Sequence, residues 1–317
     1  MQPSSRCKGI FYGCLAAICY GTNPLGALNL YKEELSPEVV LCYRFAWAIL
    51  LLGVFMLFRR DNYRDSGSGA VSQSDSGSGA ASLRDKFAIS FRDIPVLATL
   101  GLLFAACALT LFASFNYMDA GLASTLLFMY PLEVSIIMRL FFKERLTLIT
   151  AFSIVISLAG IGLLYRGGDG GVALSTIGFI LVMVSSLTYS VYIVIVNRSH
   201  LQMDSVKLTF YAVVFCFLFL LLYCATFGSG LPSIPANSVQ WGWGLMLGFV
   251  PTVLSLVFMA KAVKLVGSTS TAITGALEPL TAVCIGVFVF GEAMTLRLAL
   301  GIILILVAVS LLAIKKK

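Results

Sequence analysis

The sequence has little charge and almost no histidine. Only 12% of its 317 residues are charged and 59% are hydrophobic, whereas a soluble domain carries about a quarter charged residues. A globular core cannot absorb this much apolar surface but lipid can, so the composition predicts an integral membrane protein. The net charge of +7 then indicates basic cytoplasmic loops and not a nucleic-acid partner.

The scarcity of reactive side chains excludes most catalytic chemistry. The single histidine, His200, lies in a polar connector, and no HExxH or GxSxG motif lies at a suitable depth. The eight cysteines lie mostly in apolar runs and none forms a CxxC pair, so they are expected to be small buried hydrophobes. We therefore predict no metal, no cofactor and no enzyme activity.

Runs of about 20 apolar residues, the length that a spanning helix needs, occur throughout the chain. They cover approximately residues 9–30, 37–58, 94–115, 119–142, 147–165, 173–196, 208–227, 240–262, 268–290 and 295–314. The first run is expected to be a retained helix and not a cleaved signal. The sequence thus predicts an all-α membrane protein with ten transmembrane helices.

One connector, residues 59–92, is long and contains the hexapeptide DSGSGA twice. A Ser/Gly-rich segment buries almost nothing, which predicts a disordered loop.

If the N-terminus lies inside the cell, nearly all Lys and Arg residues fall in cytoplasmic connectors and tails. The positive-inside rule therefore places both termini and this loop in the cytoplasm, in a multi-pass protein of the cell membrane.

Two stretches of the sequence repeat one pattern. "PLEVSIIMRLFFKERLT" begins at Pro131 and "PLTAVCIGVFVFGEAMT" begins at Pro279, and each places a glutamate and a threonine at the same spacing from its proline. The repeat divides the chain into two five-helix halves, 9–166 and 173–314. Five is odd, so the second half is expected to enter the membrane inverted, as in many secondary transporters.

These motifs resemble the drug/metabolite transporter superfamily, and specifically its ten-helix EamA-like branch. The residues that carry the resemblance are "YPLEVSIIMRLFFKERLT" with the following "SLAGIGLLY", and "EPLTAVCIGVFVFGEAMT" with the following "LVAVSLLA". The resemblance covers the chain apart from residues 59–92. It implies a secondary transporter, often an exporter of amino acids or other small metabolites.

Three charged residues lie at membrane depth: Arg44, Glu133 and Glu278. Such charges cost about 2.5–3.5 kcal/mol each on insertion scales, so they are usually functional or paired. The carboxyl groups are candidates for binding a substrate ammonium group or a coupling proton, and Arg44 is a candidate for a substrate carboxylate. The alternative is that Arg44 pairs with a glutamate and only fixes helix packing.

A second group of candidates lies in the first and sixth helices. The stretch "CYGTNPLG" supplies Tyr20, Thr22 and Asn23 immediately before Pro24. A helix break lined by hydroxyls and an amide suits hydrogen bonding to a zwitterion, while hydrogen bonding between helices is the alternative. Tyr189 and Tyr192 fall at the corresponding place in the second half, which makes them candidates as well.

The repeated prolines and glutamates have structural interpretations. Pro131 and Pro279 either open backbone groups toward a binding site or only bend their helices. Glu144 and Glu292 lie where the fourth and fifth helices of each half meet. We expect each to cap the N-terminus of the next helix, one at each membrane face.

The leading hypothesis is an exporter of small metabolites that alternates access around a midplane cavity between the halves. An exchanger of sugar phosphates or nucleotide sugars is the alternative within transport, although it would need a more basic cavity. A non-transporting receptor or assembly subunit is the alternative outside it. The expected partners are a small-molecule substrate, the lipid bilayer and protons as coupling ion.

Overall fold

A computed structural model describes residues 3–58, 87–143, 148–165, 175–199, 201, 203, 205–228 and 230–314. The predicted loop 59–92 lies mostly outside these residues, and Glu144 lies outside them entirely. In the N-terminal half the helices are α1 (Pro3–Gly21), α2 (Asn23–Tyr31), α3 (Pro37–Phe58), α4 (Ile94–Ser114), α5 (Ala120–Leu127), α6 (Tyr130–Phe142) and α7 (Leu148–Tyr165). In the C-terminal half they are α8 (Thr176–Arg198), α9 (Ser205–Thr226), α10 (Ser238–Gly248), a π-helix (Phe249–Leu254), α11 (Ser255–Thr274), α12 (Leu277–Phe290) and α13 (Leu296–Ile314).

The described residues contain six helical stretches that are long and apolar enough to cross a membrane by length and composition. They are Pro37–Phe58, Ile94–Ser114, Ala120–Phe142, Thr176–Val196, Val206–Thr226 and Ser238–Ala262. Their exposed apolar side chains, such as Leu50, Leu140 and Leu222, are what a lipid-facing surface requires. The protein is therefore an all-helical membrane protein over the part that the structure describes.

Several predicted spans contain a break. The first predicted span divides into α1 and α2 at Thr22, two residues before Pro24. Pro131 and Pro279 lie in the first turns of α6 and α12, directly after the interruptions at 128–129 and 275–276. A proline at a helix start loses no hydrogen bond that the helix would otherwise make. These prolines thus begin new helices and do not bend continuous ones.

Residues 263–267, where the sequence predicts a connector, have helical backbone and form part of α11. The contacts with α1 nevertheless change direction there. Tyr12 stacks on Phe258, Gly9 lies against Val266, and Gly13 lies against Thr274. Along α11, the contacts therefore move toward the N-terminus of α1 and then back toward its middle.

Several packed helix pairs join one helix of the first half to one helix of the second half. Each such pair occurs twice, with the two halves interchanged, and we call these exchanged pairs. Helix α1 packs along α11, and α4 packs along α8. Helices α10 and α3 form one further pair, and α9 and α4 form its counterpart. Glycine permits the close approach at one of these contacts, since a Cβ added to Gly101 would lie 2.8 Å from the backbone nitrogen of Cys216. The interior between the halves is thus built from both of them.

Candidate functional site

A cavity of about 350 Å³ lies between the two halves. Its polar lining residues come from α1, α3, α4, α6, α8, α9, the π-helix, α11 and α12. They are Tyr20, Arg44, Cys107, Tyr130, Tyr189, Tyr192, Thr209, Thr252, Ser255 and Glu278. The volume is at the lower end of the range of about 300–1,000 Å³ for ligand pockets. It therefore suits one small molecule.

Arg44 supplies the positive charge of this cavity and is only 3% exposed. Its Nε donates a hydrogen bond to Thr252 Oγ1 at 3.1 Å, and the Thr252 hydroxyl donates to the carbonyl oxygen of Leu247 at 3.0 Å. The π-helix contains Thr252, and Pro251 has no N–H to donate to the Leu247 carbonyl, so that carbonyl is available for the Thr252 hydroxyl. The guanidinium also lies over the rings of Phe45 and Phe112, at 5.2 and 5.6 Å from their centroids. The hydrogen bond and the two ring contacts together fix the orientation of the guanidinium.

Glu278 supplies the negative charge, from the first turn of α12. Within the described residues its carboxyl group makes no hydrogen bond and no ion pair, and it does not pair with Arg44. The alternative in which Arg44 and a glutamate only hold helices together is therefore not what the geometry of the described residues shows. Both charged groups line the same cavity, and no direct ion pair joins them among the described residues.

Aromatic side chains form one wall of the cavity. The rings of Tyr130 and Tyr189 meet edge to face at 4.9 Å, and Tyr189 stacks on Tyr192 at 5.9 Å with 8° between the planes. Tyr192 in turn contacts Phe104 at 5.8 Å. On the opposite helix, Tyr20 lies beside the guanidinium of Arg44. The wall thus offers aromatic faces together with phenol hydroxyls.

Glu133 is not among the residues that line the cavity. Its Oε2 accepts a hydrogen bond of 2.8 Å from Ser190 Oγ of α8, and Ser190 also donates to the carbonyl oxygen of Tyr130 at 3.1 Å. Ser186 donates to the carbonyl oxygen of Leu127 at 3.4 Å. Pro131 has no N–H to donate to the Leu127 carbonyl, so Ser186 satisfies a group that would otherwise be unpaired at membrane depth, and Ser190 adds a second bond at the start of α6. Glu133 therefore contacts α8 through Ser190, outside the cavity lining.

Thr22 and Asn23 are likewise outside the cavity lining. Thr22 Oγ1 donates to the carbonyl oxygen of Cys19 at 2.7 Å, and Asn23 Nδ2 donates to that of Tyr20 at 2.9 Å. Pro24 is the second residue of α2. The three residues therefore form the break between α1 and α2, and Tyr20 alone of this motif lines the cavity.

Glu292 caps a helix, but a different one from the helix that the sequence suggested. Its Oε1 accepts from the backbone N–H of Ala120 at 2.8 Å and its Oε2 from that of Gly121 at 3.3 Å. The capped helix is α5 of the opposite half and not the following α13, because α12 packs against α5. Burial raises the pKa of Glu292, and the backbone hydrogen bonds only partly oppose that shift. The cap therefore connects the two halves.

Sequence reasoning missed Tyr130, Phe104, Thr252 and Ser255 as lining residues. A signal for Tyr130 was present, since aligning Pro131 with Pro279 places Tyr130 opposite Glu278. Pro251 was a signal for the irregular backbone that presents Thr252. Neither Phe104 nor Ser255 differs in the sequence from ordinary residues of a spanning helix.

The EamA-like transporter family model matches residues 7–166 and matches again over residues 176–314. The chain belongs to the EamA-like transporter family. The two matched segments together cover most of the chain and contain every residue of the cavity lining. The protein is accordingly a multi-pass membrane transporter.

Its relatives carry the same general description. The chain is 29% identical over 197 residues to an uncharacterized transporter of Archaeoglobus fulgidus, covering 62% of this chain and 68% of the relative. It is 21% identical over 297 residues to the uncharacterized transporter YcbK of Bacillus subtilis, covering 92% and 88%. A solved crystal structure superposes with a TM-score of 0.59 at 16% identity, covering 96% of this chain and 95% of that one. That likeness shows the fold.

Proposed function

We propose that this EamA-like protein is a secondary transporter that exports small zwitterionic metabolites such as amino acids. The observation that carries the proposal is one guanidinium and one carboxyl group on a single cavity, unpaired with each other among the described residues. Arg44 would hold the substrate carboxylate and Glu278 the substrate ammonium group. The Tyr130, Tyr189 and Tyr192 wall would contact the side chain.

The charges of the cavity favour a zwitterion over other small molecules. An isolated charge at membrane depth is costly unless a partner compensates it. A zwitterion supplies a partner to each group at once and adds no net charge. A phosphorylated sugar would bring about two negative charges to a cavity with one guanidinium and an opposing carboxylate. We therefore disfavour the sugar-phosphate alternative.

A coupling proton fits the same cavity. When the substrate ammonium group leaves, the Glu278 carboxylate loses its partner in a cavity whose lining is mainly apolar. A proton that takes the place of the ammonium group would restore neutrality. Substrate and proton would then occupy Glu278 in turn, which is the requirement for exchange of one against the other.

The packing supports a pair of inverted five-helix halves with ten spans in total. The exchanged pairs α1 with α11 and α8 with α4 are what a two-fold relation between the halves requires. The cavity lining also extends along α9 toward its start, at Thr209 and Ala212. With both termini in the cytoplasm of a cell-membrane protein, that is the cytoplasmic end. Substrate could load from inside, as export requires.

The test is a mass-spectrometric comparison of the medium of cells that express the protein, its Glu278→Gln variant or neither. We expect one class of amphoteric metabolite to accumulate outside only with the unaltered protein. The matched control is Glu133→Gln, the same chemical change at a half-buried carboxyl group outside the cavity lining. Accumulation of phosphorylated sugars, or equal accumulation with Glu278→Gln, would refute the assignment.

A further inference from the structure

We propose that Cys42 and Cys224 form a redox-sensitive crosslink that fixes one end of the transporter closed. The inference rests on the proposed alternating access and assigns a regulatory modification to it. The two thiols belong to different halves of the chain, on α3 and α9. Their oxidation to a disulfide would join these helices covalently.

The geometry of the pair is close to that of a disulfide. The two Sγ atoms are 3.9 Å apart, and the residues are 2% and 0% exposed. A disulfide needs a separation of about 2.05 Å. Because α3 and α9 pack directly against each other, side-chain rotation with a small helix adjustment can supply the remaining approach of roughly 2 Å.

The position of the pair makes the crosslink consequential. Cys42 lies within the first two turns of α3, and Cys224 lies in the last turn of α9. At this end the halves are also joined by hydrogen bonds from Tyr43 Oη to the Ser233 carbonyl oxygen at 2.9 Å, and from Asn237 Nδ2 to Glu33 Oε2 at 2.7 Å. The cavity lining extends toward the opposite end of α9. These contacts therefore form a closed end, defined here by Cys42, Cys224 and the two hydrogen bonds.

The chemistry is a two-electron oxidation by thiol–disulfide exchange with a low-molecular-weight disulfide. When the closed end opens, one thiolate attacks the small disulfide and forms a mixed disulfide with release of one small thiol. When the end closes again, the second thiolate attacks the protein sulfur of this mixed disulfide, displaces the other small thiol and forms the Cys42–Cys224 bond. The two protein thiols lose two protons and two electrons in total, and these appear in two molecules of the reduced small thiol. Alternating access requires the closed end to open, so the bond would arrest the cycle.

The chain contains its own control and its own reporter. Cys216 lies on α9 as well and is fully buried, yet no thiol contact joins it to Cys42 among the described residues. Cys107 lines the cavity, so its reaction with a membrane-impermeant maleimide reports which end is open. This measurement requires no knowledge of the transported substrate.

The experiment uses the full chain in oriented proteoliposomes, treated with oxidised glutathione and then mapped by mass spectrometry. We expect a Cys42–Cys224 linked peptide that is absent in Cys42→Ser and in Cys224→Ser but present in Cys216→Ser. Maleimide labelling of Cys107 from the closed end should fall at least tenfold on oxidation and recover with dithiothreitol. In both serine variants of the pair, oxidation should leave that labelling unchanged.

The outcomes separate the two proposals. Absence of the linked peptide overturns the crosslink while leaving alternating access intact. A linked peptide with unchanged Cys107 labelling shows that these helices do not separate, and it overturns the regulatory role. Labelling from one side alone in the reduced protein contradicts alternating access itself, and the regulatory role then fails together with the proposed function.

Discussion

Replacing Glu278 by Gln is expected to weaken substrate binding by roughly 5- to 30-fold while leaving the protein folded. The carboxyl group makes no hydrogen bond within the described residues, so an amide of the same shape removes no packing contact. A hydrogen bond to a charged group is worth about 1.5–3 kcal/mol, against about 0.5–1.5 kcal/mol for a neutral one. The difference of about 1–2 kcal/mol gives that change in affinity.

The assay is uptake of a radiolabelled amino acid, identified by the export screen, into proteoliposomes at several substrate concentrations. Glu278→Gln should raise the half-saturation concentration by the stated factor and abolish the dependence of flux on an imposed pH gradient. The control Glu133→Gln should keep both properties, because Glu133 bonds to Ser190 and does not line the cavity. Equal effects of the two substitutions, or none from Glu278→Gln, would refute the assignment of Glu278.

Three further predictions concern the substrate carboxylate, the cap between the halves and the pH dependence of stability. Arg44→Lys should raise the half-saturation concentration about tenfold in the same uptake assay. An ammonium group lacks the planar geometry by which a guanidinium can bond Thr252 and a carboxylate together. An unchanged half-saturation concentration would contradict the role of Arg44. Gly286→Ala should lower the melting temperature in detergent, because an added Cβ would overlap the Glu292 carboxylate. Loss of a helix cap costs about 0.5–2 kcal/mol. The matched control is Gly162→Ala, where an added Cβ meets no other atom. Burial raises the pKa of both Glu292 and Asp119, so their contribution to stability is full below the ordinary carboxyl pKa and is lost as pH rises through the raised values. The melting temperature should therefore rise as the pH falls from neutral toward about 4.3, less so in Glu292→Gln, and a falling melting temperature would refute this sign.

The two membrane-depth glutamates show what the sequence could predict about the site. Depth alone made Glu133 and Glu278 equivalent, because both lie midway along apolar runs. Their positions relative to the prolines differ: Glu278 precedes Pro279, whereas Glu133 follows Leu132 and Pro131. Three positions along a helix correspond to a rotation of about 300°, which is only about 60° from a full turn, so the spacing from the proline does not separate the two carboxyl groups either. Since these helices are apolar on all sides, hydrophobic periodicity could not reveal which face meets the cavity.

The family, the helical class and the irregular backbone near the prolines were predictable for a different reason. Apolar runs of spanning length and the repeated "PL" motifs are local features that a single sequence displays directly. The partner of Glu292 was not predictable, because the capped residue Ala120 is distant in the chain and is reached only through packing of α12 on α5. Contacts between distant segments depend on the assembled fold, and no local pattern encodes them.

The exchanged packing of α1 against α11 has a consequence for biosynthesis. Helix α1 ends at Gly21 and its partner begins at Ser255, so roughly 230 residues are translated between them. At a translation rate of about 5–20 residues per second, α11 is synthesised on the order of 10–50 s after α1. During that interval the face carrying Gly9, Gly13 and Tyr20 must be shielded by lipid or by the insertion machinery. The N-terminal half alone would retain this uncovered face, which makes it a ready target for membrane quality control.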